Sequence, residues 1–323
     1  MEAPRPAPDS STESPLVQIR DLVVKYGKTP ALRGISFDIP RGAIFGFIGP
    51  NGAGKTSTIK VLATLTRPDA GNATICGHDV VKHVGDVRRI IGYLPDFFGV
   101  YDDLTAEEYL HFFAAAYHIP SGHRRSLISD VLALTDLTEK ASAPVEGLSQ
   151  GMKQRLGIAR LLLHDPEFLL LDEPANGLDP RARIEMRELL KELQRLGKTI
   201  LISSHILHEL AQFCTHVGIL EQGSLVAAGP LTEIYRALSL DHAIHVALVG
   251  PCEPWIDPIR NLPGVAAVEE LGDRLVVRVQ AGELSPEDLL ESILSIGARI
   301  RMFQPDAVDM ETAFMKLTDG RTS

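Results

Sequence analysis

The segment from Gly49 to Thr56 reads GPNGAGKT and combines residue types whose spacing suits polyphosphate binding. Glycines let the backbone curl so that successive N–H groups, and the N-terminus of a following helix, face phosphate oxygens. Lys55 can then reach the outer phosphates, and the Thr56 hydroxyl can hold Mg²⁺. An apolar run precedes the segment and a helical pattern over residues 56–65 follows it, which is the context that this chemistry requires. These features favour a nucleotide-binding loop over a glycine-rich turn without a ligand.

Two carboxylates stand at the end of an apolar run that reads FLLLDE over residues 168–173. We predict a buried strand that delivers Asp172 and Glu173 to the carboxyl edge of a sheet, where ligands bind in open α/β folds. Asp172 suits a Mg²⁺ shell and Glu173 suits a base that activates water. Taken alone, such a run is more often a strand that continues into a polar loop, but the upstream phosphate loop favours the catalytic interpretation.

A third motif, LSQGMKQRL over residues 148–156, reads as a loop that enters a helix. Ser149 is placed to accept a hydrogen bond from the first turn as the N-cap residue. Because the free N–H groups and the dipole of a helix N-terminus attract negative charge, this segment is a second candidate anion site.

The elements that must position these groups alternate between strands and helices, which favours an α/β fold with a mostly parallel sheet. Thr105 and Glu108 form a capping-box pattern that predicts a helix through Tyr117, and further helices are predicted over residues 121–134, from Ser149, and over 180–196.

The order of elements restarts after about residue 240 as β-α-β-β-α-β, the ferredoxin-like order, with a last helix predicted over residues 310–317. The predicted domains are a disordered proline-rich tail over residues 1–15, a large domain over 16–238 and a small α+β domain over 239–323. The small domain either stabilises a dimer or packs on the large domain, or it senses a ligand.

Composition excludes several classes of protein. The 323 residues are 45% hydrophobic and 23% charged, which is ordinary for a globular chain. A formal net charge of −10 disfavours a broad nucleic-acid-binding surface. Three scattered cysteines indicate neither a disulfide framework nor a zinc site. No apolar run approaches the roughly 18 residues of a membrane span.

Together, the motifs GPNGAGKT, LSQGMKQRLGIARLLLHDPEFLLLDEPANGLDP and LISSH resemble the nucleotide-binding subunits of ATP-binding-cassette (ABC) transporters, over residues 16–238. The resemblance implies a P-loop NTPase of the ABC-cassette type, with a mixed sheet core and a helical subdomain, followed here by the small α+β domain. It implies ATP hydrolysis with ATP and Mg²⁺ as ligands. In such proteins two cassettes close head to tail around two ATP molecules, so the working unit is a homodimer or a pair with a second cassette.

The same resemblance implies roles for individual residues. Tyr26 would stack on adenine, His205 would contact the γ-phosphate and orient the attacking water, and Asp179 would couple the two sites. Ser149 and Gly151 would reach the ATP of the opposite subunit. The predicted site comprises catalytic Glu173, His205 and Lys55, metal-binding Thr56, Asp172 and Asp96, and the ATP contacts Tyr26, Gly49, Pro50, Asn51, Gly52, Ala53, Gly54, Lys55, Thr56, Ser57, Ser149, Gly151 and Asp179.

The chain departs from the family pattern at two places. The signature reads LSQGM where LSGGQ is commonest, although the serine and second glycine are retained. Asp96 stands where most cassettes carry a Mg²⁺-binding glutamine, so it either joins the Mg²⁺ shell, directly or through water, or is a turn residue.

The aromatic segment over residues 97–103 either belongs to the core of the helical subdomain or receives a membrane partner.

The resemblance also implies partners. A transporter ATPase without a span requires a separate integral-membrane permease and would lie at the cytoplasmic side of the membrane. The closing run over residues 310–318 resembles the extension of type-2 ABC exporters, which favours export. The alternative is an ABC ATPase that acts on nucleic acid or the ribosome, but those proteins usually carry long coiled coils or two cassettes.

Overall fold

The computed structural model describes residues 14–97, 99, 103–237, 242–279 and 284–305. The chain divides into two compact units, which lie within residues 1–228 and 229–321. Most of the predicted tail, and the predicted helix over residues 310–317, fall outside the described residues. The strands are β1 (Val17–Tyr26), β2 (Thr29–Ile39), β3 (Ile44–Ile48), β4 (Ala70–Ile75), β5 (His78–Asp79), β6 (Ile91–Leu94), β7 (Phe168–Asp172), β8 (Thr199–Ser204), β9 (His216–Glu221), β10 (Ser224–Pro230), β11 (His242–Leu248), β12 (Val265–Leu271), β13 (Arg274–Val279) and β14 (Ile300–Pro305).

The helices are α1 (Lys55–Leu62), α2 (Val84–Ile90), α3 (Ala106–Ala116), α4 (Ser121–Leu134), α5 (Gln150–Leu162), α6 (Pro180–Arg195), α7 (Leu207–Ala211), α8 (Leu231–Ala237), α9 (Glu253–Arg260) and α10 (Pro286–Ser295). Within the described part of the chain, none of them combines the length and the apolar character that a membrane crossing needs. Helix α1 ends earlier than the predicted residue 65, because Thr64 adopts a left-handed conformation with φ 61°.

A six-stranded sheet forms the centre of the first unit, in the order β10-β9-β3-β8-β7-β6. Its strands from β9 to β6 run parallel, as the alternating sequence predicts. Every residue of β3, β7 and β8 is buried, which explains the apolar runs IFGFI, FLLL and ILI within them. The carboxyl ends of β3, β7 and β8 lie at one edge of the sheet, where Ile48 is paired with Ser204 and Asp172 with Ser203.

A second sheet of the first unit is antiparallel, with the order β2-β1-β4-β5. Apolar side chains from this sheet, from β3 and from α1 share one buried cluster, in which the rings of Phe37 and Phe45 stack with centroids 5.3 Å apart. The hairpin between β1 and β2 pairs Tyr26 with Thr29 and leaves the Tyr26 side chain 52% exposed at its tip.

Helices α3, α4 and α5 pack against one another and form the helical part of the first unit. The predicted capping box is present: the Thr105 hydroxyl accepts from the Glu108 N–H, and the Glu108 carboxylate accepts from the Thr105 N–H at 2.9 Å. Helix α4 has the predicted bounds, and Ser149 is the N-cap of α5. Tyr109 of α3 is fully buried and helps to hold this group of helices together.

The second unit contains an antiparallel sheet in the order β12-β13-β11-β14, with α9 and α10 inserted between its strands along the chain. This is the predicted β-α-β-β-α-β succession. Helix α9 spans residues 253–260 rather than the predicted 255–262, because Pro254 fits its first turn. One buried cluster contains residues from the sheet and both helices, including Val246, Val277, Ile259 and Ile293.

Candidate functional site

The loop between β3 and α1 curls where its glycines permit it. Gly52 and Gly54 adopt φ values of 84° and 110°, which side-chain-bearing residues rarely adopt. A Cβ atom on Gly54 would lie 2.7 Å from the Ala31 carbonyl oxygen, and one on Gly49 would lie 2.4 Å from the Leu220 carbonyl oxygen. The close approach of neighbouring backbone therefore requires glycine at both positions.

Lys55 is held inside this loop with only 6% of its side chain exposed. Its ammonium donates to the carbonyl oxygens of Gly49 at 2.7 Å and Pro50 at 3.3 Å. The same Nζ lies 3.5 Å from Glu173 Oε1. The ammonium is thus fixed beside the loop, and a phosphate in the loop would meet a cation that the protein largely shields from water.

Asp172 and Ser203 form a hydrogen-bonded pair at the ends of neighbouring strands. Asp172 Oδ1 accepts from Ser203 Oγ at 2.6 Å and from Thr56 Oγ1 at 3.2 Å. Ser203 Oγ in turn accepts from the Glu173 N–H at 2.9 Å. Sequence reasoning missed Ser203. A signal was present, because Ser203 lies at the end of β8, and the ends of the parallel neighbours β7 and β8 lie at the same edge of the sheet.

The oxygen groups around Asp172 suit Mg²⁺. Asp172 is buried, and burial raises its pKa above the usual value. Hydrogen bonds from Ser203 and Thr56 lower this pKa, and the neighbouring Glu173 and Asp96 carboxylates raise it, with a net increase. The Asp172 carboxylate and the Thr56 hydroxyl that donates to it offer two hard oxygen donors, and a divalent cation would neutralise the buried charge of Asp172. Thr56 and Asp172 would hold the ion.

Asp96 reaches the same region from the segment after β6. Its Oδ1 accepts from Asn176 Nδ2 at 3.2 Å, and both residues line one cleft with Glu173 and His205. This placement supports the metal-shell alternative over a remote turn residue. Asn176, which the sequence interpretation left without a role, fixes the direction of the Asp96 carboxylate.

We expect Asp172→Asn to stabilise the nucleotide-free protein at neutral pH. The Asp172 pKa is higher in the folded chain than in the unfolded chain. Between these two pKa values the folded state binds more protons than the unfolded state, so the free energy of unfolding falls as pH rises through this range. The asparagine has no such cost and keeps the acceptor oxygen that Ser203 and Thr56 use. Urea unfolding at neutral pH should therefore give Asp172→Asn a larger free energy of unfolding than wild type.

In acid below the ordinary aspartate pKa, the gain from Asp172→Asn should vanish, because wild-type Asp172 is then protonated in both states. The matched change Asp130→Asn, on the exposed face of α4, should alter the free energy of unfolding by less than about 0.5 kcal/mol at either pH. An Asp172→Asn gain of equal size in acid and at neutral pH would contradict the burial argument.

Glu173 is fixed from several sides. Its φ of 51° is left-handed, a conformation stabilised by the hydrogen bond from its own N–H to Ser203. One carboxylate oxygen faces the Lys55 ammonium, and the other accepts from His205 Nδ1 at 2.9 Å. The two oxygens are therefore oriented toward the phosphate loop and toward the loop that follows β8.

The phosphate loop and these side chains line a single cleft of about 640 Å³, within the size range of small-ligand sites. Tyr26 stands in its wall with an exposed ring, which is available for stacking on a base. The structure thus brings together the predicted residues Tyr26, Asn51, Gly52, Ala53, Gly54, Lys55, Thr56, Ser57, Asp96, Glu173 and His205 in that cleft, with Asp172 bonded to Thr56 beneath it.

Ser149, Gly151 and Asp179 lie in a different cleft of about 580 Å³. Ser149 accepts from the Met152 N–H at the start of α5, and Asp179 accepts from the Ala182 N–H at 2.9 Å at the start of α6. A Cβ atom on Gly151 would lie 2.8 Å from the Ala182 side chain, so glycine permits the two helices to approach. Two helix N-termini therefore open into one cleft that holds no part of the phosphate loop.

Arg155 lines this second cleft and joins the elements around it, a role that sequence reasoning missed. It is only 6% exposed, and its Nη1 donates to Asp136 Oδ2 at 2.9 Å and to the Thr135 carbonyl oxygen at 3.3 Å. Its Nη2 lies 3.4 Å from Glu185 Oε2 of α6. The guanidinium thereby links α4, α5 and α6.

We expect Arg155→Met to lower the free energy of unfolding by about 1.5–3 kcal/mol, because hydrogen bonds to charged groups are lost from a buried position. Chemical denaturation followed by circular dichroism measures this change. Arg181→Met, which removes a side chain that is 90% exposed, should cost less than about 0.5 kcal/mol. Equal effects of the two substitutions would contradict the linking role.

Comparison with known proteins agrees with the motifs. Residues 32–176 match the family described as ABC transporter. The chain is 33% identical over 309 residues to the linearmycin resistance ATP-binding protein LnrL of Bacillus subtilis, covering 95% of this chain and 99% of that protein. It is 36% identical over 264 residues to the Nod factor export ATP-binding protein I of Ralstonia nicotianae, covering 81% of each.

Solved structures resemble about two thirds of the chain. One described as the ATP binding subunit of an ABC transporter matches with a TM-score of 0.62 and 33% identity, over 69% of this chain and 92% of that one. CbiO1 from Clostridium perfringens, described as part of the ABC transporter complex CbiONQ, matches with a TM-score of 0.63 and 27% identity, over 69% and 91%. Since fold, motifs and nearly full-length similarity agree, this chain belongs to the ATP-binding proteins of ABC transporters.

Proposed function

We propose that this ATPase works as a pair of cassettes that close head to tail around two ATP molecules and drive a separate membrane permease, in the direction of export. The observation that carries the proposal is the division of the predicted ATP contacts between two clefts. One cleft holds the phosphate loop, Glu173 and His205, and the other holds Ser149, Gly151 and Asp179. A second copy that offers its signature cleft to the phosphate loop completes the set.

The chemistry at each composite site follows from the positions of the side chains. The loop N–H groups and Lys55 bind the phosphates and stabilise the charge that develops on the transferred group. Glu173 accepts the proton of the attacking water, and His205, bonded to the Glu173 carboxylate, orients that water. Thr56 and Asp172, with Asp96 nearby, would hold Mg²⁺, which would neutralise part of the phosphate charge. Tyr26 stacks on the adenine ring.

A groove on the helical side of the first unit is our proposed contact for the permease. It measures about 400 Å³ and is lined by Leu65, Tyr93, Tyr117 and His164, among others. Tyr93 stands three residues before Asp96 on the same chain segment, and its pKa is raised to about 12, by burial first and then by the Asp172 and Asp96 carboxylates. The groove is thus linked to the nucleotide cleft through β6.

Phe97 extends the same segment outward. Its side chain is 89% exposed, which contradicts a place in the core of the helical subdomain and supports the alternative of a partner-binding surface. The other aromatic residues of that segment, Phe98 and Tyr101, lie outside the described residues. In the proposed assembly the chain lies at the cytoplasmic side of the membrane, against the permease.

Export is supported by the relatives, one named for linearmycin resistance and another for Nod factor export. The substrate itself is selected by the permease in this proposal. The competing assignment, action on nucleic acid or the ribosome, is disfavoured by the net charge of −10.

Purification of the tagged chain from detergent-solubilised membranes of its own host tests the permease proposal. We expect an integral-membrane protein to co-purify in stoichiometric amount and to change the ATP turnover of the chain. The variant Phe97→Ser should reduce that association while the isolated chain keeps its turnover. Stoichiometric recovery of ribosomes or nucleic acid instead would support the competing assignment.

A further inference from the structure

Ser203 is a fully buried polar residue at the end of β8, and it does not line the nucleotide cleft. Its hydroxyl donates to Asp172 Oδ1 at 2.6 Å and accepts from the Glu173 N–H at 2.9 Å. A serine hydroxyl carries one proton, so the bond to Asp172 leaves only lone pairs to face the Glu173 N–H. Ser203 therefore joins the proposed metal ligand to the proposed base.

The backbone of Glu173 depends on this hydroxyl. Its φ of 51° is left-handed, a conformation that a residue with a side chain keeps only where its surroundings hold it. The Glu173 N–H donates to Ser203, and the Glu173 carbonyl oxygen accepts from the Asn176 N–H at 3.0 Å. Only the bond to Ser203 is made by a side chain. Without it, relaxation of the Glu173 backbone would move the carboxylate away from Lys55 and His205.

We propose that Ser203 is a positioning residue for ATP hydrolysis, which holds the Glu173 carboxylate in the orientation that activates water. The proposal rests on the proposed role of Glu173 as the base. Ser203 acts through the Glu173 backbone and makes no contact with the substrate. Its bonds to both residues at the end of β7 keep the base in a fixed position relative to the metal ligand Asp172.

Ser203→Ala should lower ATP turnover about tenfold to a hundredfold, because a misplacement of about 1 Å at a reacting group can cost about a hundredfold in rate. The phosphate loop and Lys55 are unchanged in this variant. The affinity for a fluorescent ATP analogue should therefore stay within about threefold of wild type. Phosphate release by the full chain at saturating Mg²⁺ and ATP measures the turnover, and a turnover within about twofold of wild type would contradict the proposal.

Thr199, at the other end of β8, offers a matched control. It is also buried, and its hydroxyl accepts from the Gly42 N–H at 2.9 Å. Thr199→Val thus removes the acceptor of a backbone N–H, as Ser203→Ala does, and both variants should lower the urea midpoint of unfolding. Only Ser203→Ala should lose turnover. If Thr199→Val were equally slow, the loss would reflect general destabilisation and the positioning role would be wrong.

Ser203→Thr tests whether the hydroxyl itself is required. Threonine keeps a hydroxyl on the same carbon atom, and Ser203 borders a cavity of about 360 Å³ that has room for the added methyl group. We expect turnover within about threefold of wild type. A threonine variant as slow as Ser203→Ala would overturn the proposal.

The double variant Ser203→Ala with Glu173→Gln separates positioning of the base from other effects. If Ser203 acts through the Glu173 carboxylate, removal of its hydroxyl should change the residual turnover of Glu173→Gln by less than about twofold. An equal loss in both backgrounds would overturn the positioning role while the base assignment stands. Near wild-type turnover of Glu173→Gln alone would instead refute the base, and the positioning role with it.

Discussion

Replacing Glu173 with glutamine should lower ATP turnover about 10²- to 10⁴-fold, which is the usual contribution of a positioned general base. The amide keeps the size of the carboxylate and still offers an oxygen to His205 Nδ1, which now lies 2.9 Å from the carboxylate. It has no charge to accept the proton of water. ATP should therefore still bind, and the ATP-bound dimer should persist because its hydrolysis is slow.

Phosphate release under saturating Mg²⁺ and ATP measures the turnover of Glu173→Gln, and equilibrium titration with a fluorescent ATP analogue measures binding. Glu192→Gln, a half-exposed change on α6, should leave both quantities near the wild-type values. Turnover of Glu173→Gln within about threefold of wild type would remove Glu173 from the role of base, since such a loss is far below the general-base range.

Lys55→Ala should weaken ATP binding about tenfold to a hundredfold, because hydrogen bonds to charged groups contribute about 1.5–3 kcal/mol. The ammonium is buried in the loop and bonded to the Gly49 carbonyl oxygen at 2.7 Å, so the substitution removes a cation that the fold holds beside the phosphate loop. Its loss also leaves Glu173 without its neighbouring cation, so turnover at saturating ATP should fall as well.

Lys60→Ala is the matched control for Lys55→Ala, since it removes the same side chain from the last turn of α1, away from the cleft lining. We expect its ATP affinity to equal that of wild type. Thermal unfolding of both variants without nucleotide separates a binding defect from misfolding. If Lys55→Ala bound ATP as tightly as Lys60→Ala, the phosphate-contact role would be wrong.

The sequence was most informative where one residue type is required by local geometry. The glycines of the phosphate loop and the capping box of α3 could be predicted because few other residues satisfy those backbone conformations. The end of β7 at Asp172 was also predictable. A strand that is buried on both faces is apolar along its length, so the first charged residue marks the edge of the sheet.

What remained unpredictable depends on contacts between distant parts of the chain. Ser203, Asn176 and Arg155 are common polar residues, and their roles emerge only from the partners that the fold brings within hydrogen-bond distance. The sequence also left Asp96 between two roles, and the exposure of Phe97 could not be read from its aromatic neighbours.

The central claim is that each ATP site is completed by the signature cleft of a second copy. A heterodimer of a Lys55→Ala chain and a Ser149→Arg chain, isolated through two different affinity tags, tests it directly. In this heterodimer both substitutions fall on one composite site, and the other site is intact. The heterodimer should therefore recover about half of wild-type turnover, while the turnover of each parent homodimer stays well below that value. A heterodimer no more active than its parents would contradict the claim, because it would show that phosphate loop and signature act within one chain.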